Sequence, residues 1–357
     1  MKFSLFFEMQ MSRPNKAKEI EIFRSSVDQA VLADKLGYST VWAVEHHGLY
    51  EYSHCSAPEV FLSYVAALTK NIRLGHGITL TPYRYNHPIR IAERIATLDI
   101  LSGGRVNWGS GKGATLVEKG AFGCDIESLH SQWLESLHMI PKMWRDDIFE
   151  WEGEHVTVPP TQVIPKPVQT PNPPIFGACS RKEAVMEMAE LGIGALDFAS
   201  GTFDTLSEKI AAYKETFKNS NNTRWKTNNH YACVPTSLVL KDDKKACELG
   251  FQAARYFAGS LSYYTLAKDR PVGEMVGVNR DAMEAEELEW MMSQRNQPDT
   301  PMIHVIGDPV AARESVSRFV DAGVDELILL MQIGTTPNDL VYESIKTFGE
   351  EVIPYFS

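Results

Sequence analysis

The chain has 357 residues, 44% of them hydrophobic and 23% charged, the balance of a water-soluble globular protein with a sizeable core. Its net charge of −11 arises from 46 acidic against 35 basic residues with no Lys/Arg block, which argues against nucleic acid and anionic membranes as partners. The five cysteines are widely spread and include no Cys-x-x-Cys pair, which argues against a disulfide framework or zinc ribbon and for a reducing compartment.

Met1-Lys2-Phe3-Ser4 opens no signal-peptide core, and no apolar stretch is long enough to span a bilayer, so a cytoplasmic protein is expected. Phe3, Leu5 and Phe7 alternate along a first strand. Ile20, Phe23, Val27, Ala30 and Val31 then recur at helical spacing up to Gly37, a natural helix stop. Residues 39–44 are short, apolar and β-branched, as a strand buried on both faces should be. Ser56-Ala57-Pro58-Glu59 has the form of a capping box, opening a helix with Val60, Phe61, Tyr64, Val65 and Leu68 on one face. A third strand is expected at 73–80, and Pro88 opens a helix that turns Ile91, Ile95, Leu98 and Leu101 inward. Further strands are expected at 105–109, 174–178, 194–199, 234–240 and 326–331. Helical patterns lie between them at 131–144, 181–191, 205–218, 244–258 and 309–322, with a last one at 338–352.

Eight strand-then-helix units with right-handed crossovers close most simply into a (β/α)8 TIM barrel, an α/β fold, with a doubly wound open sheet as the alternative. No composition break marks a second domain, so residues 1–357 read as one barrel. Residues 260–301, just before the last strand, are polar, Met-rich and weakly periodic, the pattern of a mobile, lid-like insertion with a helical piece at 281–295.

Glu45-His46-His47 leaves the carboxyl end of the second strand, the edge of a parallel α/β fold where chemistry sits. Glu45 and His46 read there as an acid beside a proton-handling imidazole with a pKa near neutral; the competing reading is a polar cap on the next loop. His47, leaving the strand on the opposite face, reads as structural. His54, His76 and His87 add metal-ligand chemistry, but no His-x-His follows the first strand and no acid trio accompanies them, so no metal is expected. Gly109-Ser110-Gly111-Lys112-Gly113-Ala114 fails as a Walker motif and is incomplete as a dinucleotide fingerprint, the next clear helix beginning too late. It reads either as a glycine-rich turn or as backbone packed against a flat ring, with Lys112 facing an anionic group. Ala178-Cys179-Ser180-Arg181 enters a helix, where free amides, a hydroxyl and a guanidinium make a phosphate seat. Arg181 reads equally as a solvated first-turn residue, and Cys179 as a packing residue.

Taken in order, four stretches resemble the bacterial luciferase-like family of flavin-dependent monooxygenases. They are Thr40-Val41-Trp42-Ala43-Val44-Glu45-His46-His47; Leu74-Gly75-His76-Gly77-Ile78 running on to Asn86-His87-Pro88; Leu98-Asp99-Ile100-Leu101-Ser102-Gly103-Gly104-Arg105; and the tail from Gly307-Asp308-Pro309 through Asp321-Ala322-Gly323-Val324-Asp325. The resemblance covers nearly the whole chain. It implies a homodimeric enzyme that takes reduced FMN from a separate flavin reductase and oxygenates a small organic substrate with O2 through a flavin hydroperoxide.

On matching positions, the resemblance implies that His46 is the catalytic histidine and Glu45 its neighbour beside the flavin. Gly77-Ile78 would be an unusual, sometimes cis, peptide behind the ring. Gly111 stands where bacterial luciferase carries a reactive cysteine, which argues against light emission. Lys112 would contact the FMN phosphate, with Ala178, Cys179, Ser180 and Arg181 forming its helix-start seat. Two alternatives stay open: a deazaflavin-dependent hydride-transfer enzyme on the same barrel, and a non-catalytic flavin-binding protein. Members of the former more often show Asp-His where this chain has Glu45-His46.

Overall fold

The computed structural model describes residues 1–295, 297, 299–301 and 303–356. Its eight central strands are β1 (Lys2–Phe7), β2 (Thr40–Ala43), β3 (Arg73–Leu80), β4 (Val106–Gly111), β5 (Ile175–Cys179), β6 (Gly194–Phe198), β7 (Tyr231–Val234) and β8 (Glu326–Leu329). Each pairs in parallel with the next, and β8 closes on β1, so that Leu5 lies opposite both Val41 and Leu329. Helices cover the outside of this closed ring, which is a TIM barrel. Strands walled on both faces are largely apolar or small, and every residue of β2, β4, β7 and β8 is buried, the polar ones such as Glu326 with partners.

Large and small residues interlock inside the barrel. A Cβ on Gly75 would stand 2.3 Å from the indole of Trp42, so the absent side chain is what admits that ring. The Trp42 indole N–H donates to Glu326 Oε1 (2.9 Å), which also accepts from the Ser4 hydroxyl (2.5 Å), while Glu326 Oε2 pairs with His230 Nε2 (2.8 Å). Glu326 begins β8 and His230 precedes β7, and with Ser4 and Trp42 they fill the amino-terminal part of the barrel. The chemistry is left to the other end.

Several expected elements shift. The seventh barrel strand is Tyr231–Val234, not 234–240; Ser237–Val239 pairs instead with Val305–Gly307 in a separate two-stranded sheet outside the ring. Pro235-Thr236-Ser237 separates the two apolar pieces and marks where the chain leaves the ring. The helix Lys16–Lys35 buries Ile22, Ser26, Gln29, Ala30 and Ala33, and leaves Ile20 and Phe23 exposed. A buried polar pairing decides this: the Gln332 amide donates to Ser26 Oγ (2.9 Å) and Gln29 Oε1 (3.0 Å). Helix Pro58–Leu68 has no capping box, because its N-cap is Ala57 and Glu59 accepts instead from Arg94 (2.5 Å). Its buried face holds Phe61, Leu62, Val65 and Ala66, leaving Val60, Tyr64 and Leu68 exposed, as is Leu101 of the neighbouring helix Pro88–Ser102.

Two elements were not expected. Phe149–Glu152 and Thr157–Thr161 form an antiparallel pair between β4 and β5. A short helix, Leu116–Ala121, begins soon after the glycine-rich loop. In the expected insertion 260–301, Ser260 to Thr265 belong to the long helix Asp243–Thr265, and the helical piece is Ala285–Gln294. Residues 296 and 298 of that range lie outside the described residues. No helix among the described residues is long and apolar enough to cross a membrane.

Candidate active site

Three strand ends contribute the polar parts of a site at the carboxyl mouth. Glu8 follows β1 directly, Glu45 and His46 follow β2, and Glu118 arrives on the short helix after β4. Thr115 caps that helix: its Oγ1 accepts from the Glu118 amide (3.2 Å) and its hydroxyl donates to Glu118 Oε2 (2.7 Å). The cap thus turns the Glu118 carboxylate toward His46.

His46 sits between two acids. Its Nδ1 is 2.9 Å from Glu118 Oε1, and its Nε2 is 3.8 Å from Glu8 Oε2. The His47 amide also donates to Glu118 Oε1 (3.2 Å). Burial by itself depresses the His46 imidazole. The charge and hydrogen bond of Glu118, then the charges of Glu8 and Glu45, outweigh that and lift it from 6.5 to about 9. The expectation of a midpoint near neutral is therefore corrected: His46 is a held imidazolium at neutral pH. Glu118 is pushed upward by burial, but His46 and its hydrogen-bond donors bring it below the ordinary carboxylate value. Glu8 is 1% exposed. Burial raises it more than His46 and Tyr52 lower it, leaving it at about 7 against an ordinary 4.5.

Glu45 is buried and its oxygens are spent. Oε2 accepts from the Leu80 amide (2.8 Å), and Oε1 accepts from Asn86 Nδ2 (2.8 Å) and lies 3.3 Å from His47 Nε2. Asn86 is held in turn by Arg94 (2.5 Å), so Glu45 shapes the loop after β3. His47 lies edge-on to Phe122, away from His46 and toward Glu45. The Gly77–Ile78 peptide of β3 is cis.

Ile78, Gly111 and Ala178 meet across three consecutive strands. A Cβ on Gly111 would lie 2.7 Å from the Ile78 side chain and 3.7 Å from the Ala178 methyl. The Gly111 position has no room for a side chain, so its backbone lies close against Ile78 and Ala178. Lys112 Nζ is 3.2 Å from His130 Nδ1, whose Nε2 is 3.1 Å from Glu187 of the helix Lys182–Glu190. Arg181 is the N-cap of that helix and makes no side-chain cap bond, so its first-turn amides stay open to an anion, beside exposed Ser180. Cys179 is buried, its thiol 3.6 Å from the Leu196 carbonyl, and packs as a small apolar residue. The remaining wall is aromatic: Tyr52 packs on the His46 ring (5.4 Å) and on Phe257 (5.6 Å), Phe257 on Phe198 and Phe198 on Phe6.

Sequence reasoning missed Glu8, Glu118 and Tyr52. Thr115-x-x-Glu118 has the spacing of a capping box and could have flagged the short helix. Nothing local distinguishes Glu8 from a surface acid. Among the described residues, no group of three or more His, Cys, Asp or Glu is arranged to hold a metal.

A parallel (β/α)8 barrel with a carboxylate-held imidazole at its carboxyl mouth has the arrangement of an enzyme. The chain belongs to the luciferase-like monooxygenase family, whose model matches residues 1–326. It is 33% identical over 182 residues to the oxygenase component of a flavin-dependent trigonelline monooxygenase from Acinetobacter baylyi, covering 50% of this chain and 49% of that one. It is also 22% identical over 343 residues to an F420-dependent glucose-6-phosphate dehydrogenase from Amycolatopsis mediterranei, covering 93% and 94%. In fold it is similar to the oxygenating constituent of 3,6-diketocamphane monooxygenase from Pseudomonas putida in complex with FMN, with a TM-score of 0.76, 20% identity, and 99% and 98% coverage. The matched region spans about half the length of the first curated relatives.

The electrostatic account predicts a measurable titration. A raised imidazole stabilises the fold fully below pH 6.5, and that contribution is lost as pH rises through about 9. Replacing Glu118 by Gln removes the largest upward influence, so the His46 midpoint should fall by roughly 1–2 units. NMR titration of the His46 ring checks this, with urea midpoints across the same pH range; an unmoved midpoint would remove Glu118 as its partner.

Proposed function

We propose that the protein is the oxygenase component of a two-component monooxygenase, which takes reduced FMN from a separate reductase and uses O2 to oxygenate a small organic substrate. The reading is carried by the imidazolium of His46, held by Glu118 at the barrel mouth, in a chain of the luciferase-like monooxygenase family. The flavin-dependent relative and the FMN-bound structural neighbour support it. Reduced FMN, when bound, supplies the electrons that activate dioxygen. Gly77, Ile78 and Gly111 border the ring, and Lys112, Ser180 and Arg181 with the open amides of the helix start hold the phosphate. His46 presents a proton at Nε2, and the aromatic residues keep water away. A second reading, hydride transfer with a reduced deazaflavin, is favoured by the nearly full-length match to an F420-dependent enzyme.

Anaerobic titrations with reduced FMN, riboflavin and F420 separate the two readings. Reduced FMN should bind tightest, and replacing Lys112 and Arg181 together by Ala should weaken it by roughly 1–3 kcal/mol. With a reductase and a substrate screen followed by mass spectrometry, His46→Ala should lose on the order of 10²-fold in product while still binding FMN. Binding of F420 alone would overturn the FMN reading.

Residues 260–301 act in this reading as a lid. The tie is Glu51, fully buried, which accepts from the amides of Arg13 (2.6 Å) and Met275 (2.6 Å) and from the Arg280 guanidinium (2.5 Å). It joins the insertion to the loops after β1 and β2, next to Tyr52. A cavity of about 370 Å³ lies between the Glu118 helix and the insertion, lined by Leu116, Lys119 and Cys124 on one side and Lys268 and Arg270 on the other. Arg280→Ala should leave the barrel folded and raise the share of reduced flavin lost as hydrogen peroxide. Unchanged peroxide yield argues that the segment is only structural.

The exposed apolar side chains Val60, Tyr64, Leu68 and Leu101 on two packed neighbouring helices fit a homodimer contact. Light scattering should give twice the 40.0 kDa chain mass, and Tyr64→Glu should return it to a single chain. A wild-type monomer excludes this interface.

A further inference from the structure

We propose that Glu8 is a second catalytic residue of the pocket: its free carboxyl oxygen meets the reacting polar atom of the substrate together with His46 and exchanges a proton with it. The proposal rests on the reading of the His46 pocket as the reaction site.

Geometry carries it. Glu8 is buried at the end of β1, its Oε1 accepting from the Tyr52 hydroxyl (3.0 Å) and its main-chain oxygen from the Ser53 hydroxyl (2.7 Å). These bonds aim the second oxygen, Oε2, at His46 Nε2 across 3.8 Å, and among the described residues Oε2 has no hydrogen-bond partner. The gap is longer than a hydrogen bond, and an oxygen or nitrogen atom set to one side of the line joining the two groups could stand within hydrogen-bond distance of both. The other acids of the site are engaged. Glu118 is held by His46, Thr115 and the His47 amide, and Glu45 by Leu80, Asn86 and His47. A buried oxygen left unpaired is costly, and its natural partner is a ligand atom.

The charges around it decide the roles. Glu8 faces His46 and Tyr52 from the segment after β2, with Ser53 and the Cys55 thiol, and Glu118 from the short helix. Burial holds its carboxyl up, against the pull of His46 and Tyr52, at about 7. His46, lifted to about 9, stays protonated and can only donate at neutral pH. Glu8 is therefore the member of the pair that changes state. In the donating direction the Glu8 O–H bond breaks and an O–H or N–H bond forms on the bridging atom. The carboxylate left behind is held by the Tyr52 hydroxyl and the His46 imidazolium. The reverse step takes a proton from the substrate, and no electrons move in either. The reacting group is thus a carbonyl, hydroxyl or amine rather than a bare hydrocarbon.

The test begins without cofactor or substrate. Infrared difference spectra of the full chain should show a protonated carboxyl titrating near neutral pH, lost in Glu8→Gln and moved to higher pH in Tyr52→Phe, where a hydrogen bond to the ionised form is gone. The NMR midpoint of His46 should fall in Glu8→Gln. Rapid mixing of the reduced-FMN complex with O2 should then show a near-neutral break in the reoxidation rate that Glu8→Gln abolishes, with reduced FMN affinity unchanged. If Glu8→Gln fails to fold, the shift in Tyr52→Phe decides. A carboxyl titrating only in the ordinary acid range, or one that survives Glu8→Gln, overturns the proposal even where reduced FMN binds normally. A neutral-range carboxyl assigned to Glu8 in a protein that ignores reduced FMN supports the proton pair and overturns the flavin reading instead.

Discussion

The site depends on one electrostatic constraint: a single imidazole must serve two buried carboxyl groups, and among the described residues neither of them pairs with a lysine or arginine. Two buried anions cannot share one cation without a residual charge, so one of them must keep a proton more tightly than in water. Glu118 has the shorter contact, two further donors and the ionised state. Glu8 has one neutral donor and the elevated pKa. The asymmetry between the acids follows from their hydrogen bonds, not from their residue type. It leaves the pocket with a fixed cation and a titrating neighbour within reach of one atom.

The opposite end of the barrel shows what the same chemistry does when it is fully satisfied. Glu326 is also buried and also paired with a histidine, His230, but Ser4 and Trp42 occupy its other acceptor oxygen. Burial pushes it upward, and these partners bring it below the usual value, so it stays ionised and inert. Both ends therefore hold a Glu–His pair. One closes the barrel and the other leaves an unpaired oxygen at its mouth. Glu45 and Glu51 extend the open end outward, the first shaping the loop after β3 through Asn86 and Arg94, the second tying the insertion at Met275 and Arg280.

Much of this was legible in the chain. The alternation of strand and helix, the position of Glu45-His46-His47 at a strand end, and the family resemblance led to the barrel and its mouth. The helix faces were less legible. Ile20, Val60, Tyr64 and Leu101 are apolar and were read inward, yet all four are exposed. An apolar stripe does not say which of two apolar faces meets the barrel. On the first helix the choice was made by buried Ser26 and Gln29, which polarity places outside and Gln332 holds inside. The seventh strand was misplaced because two apolar pieces lie close together on either side of Pro235-Thr236, and only pairing shows which one enters the ring.

By itself the sequence determined the architecture and the family, because periodicity, strand-end motifs and glycine placement are local properties that a chain carries in its own order. The partnership around His46 was decided only by tertiary structure. Glu8 and Glu118 are separated from His46 by dozens of residues and come from different strand ends, and no local pattern ties either of them to His46. A pKa depends on burial and on charges a few ångströms away, which exist only once the barrel closes and brings the ends of β1, β2 and β4 to one mouth. For that reason the same three letters, Glu, His and Glu, specify nothing in the chain and a proton-holding site in the folded barrel.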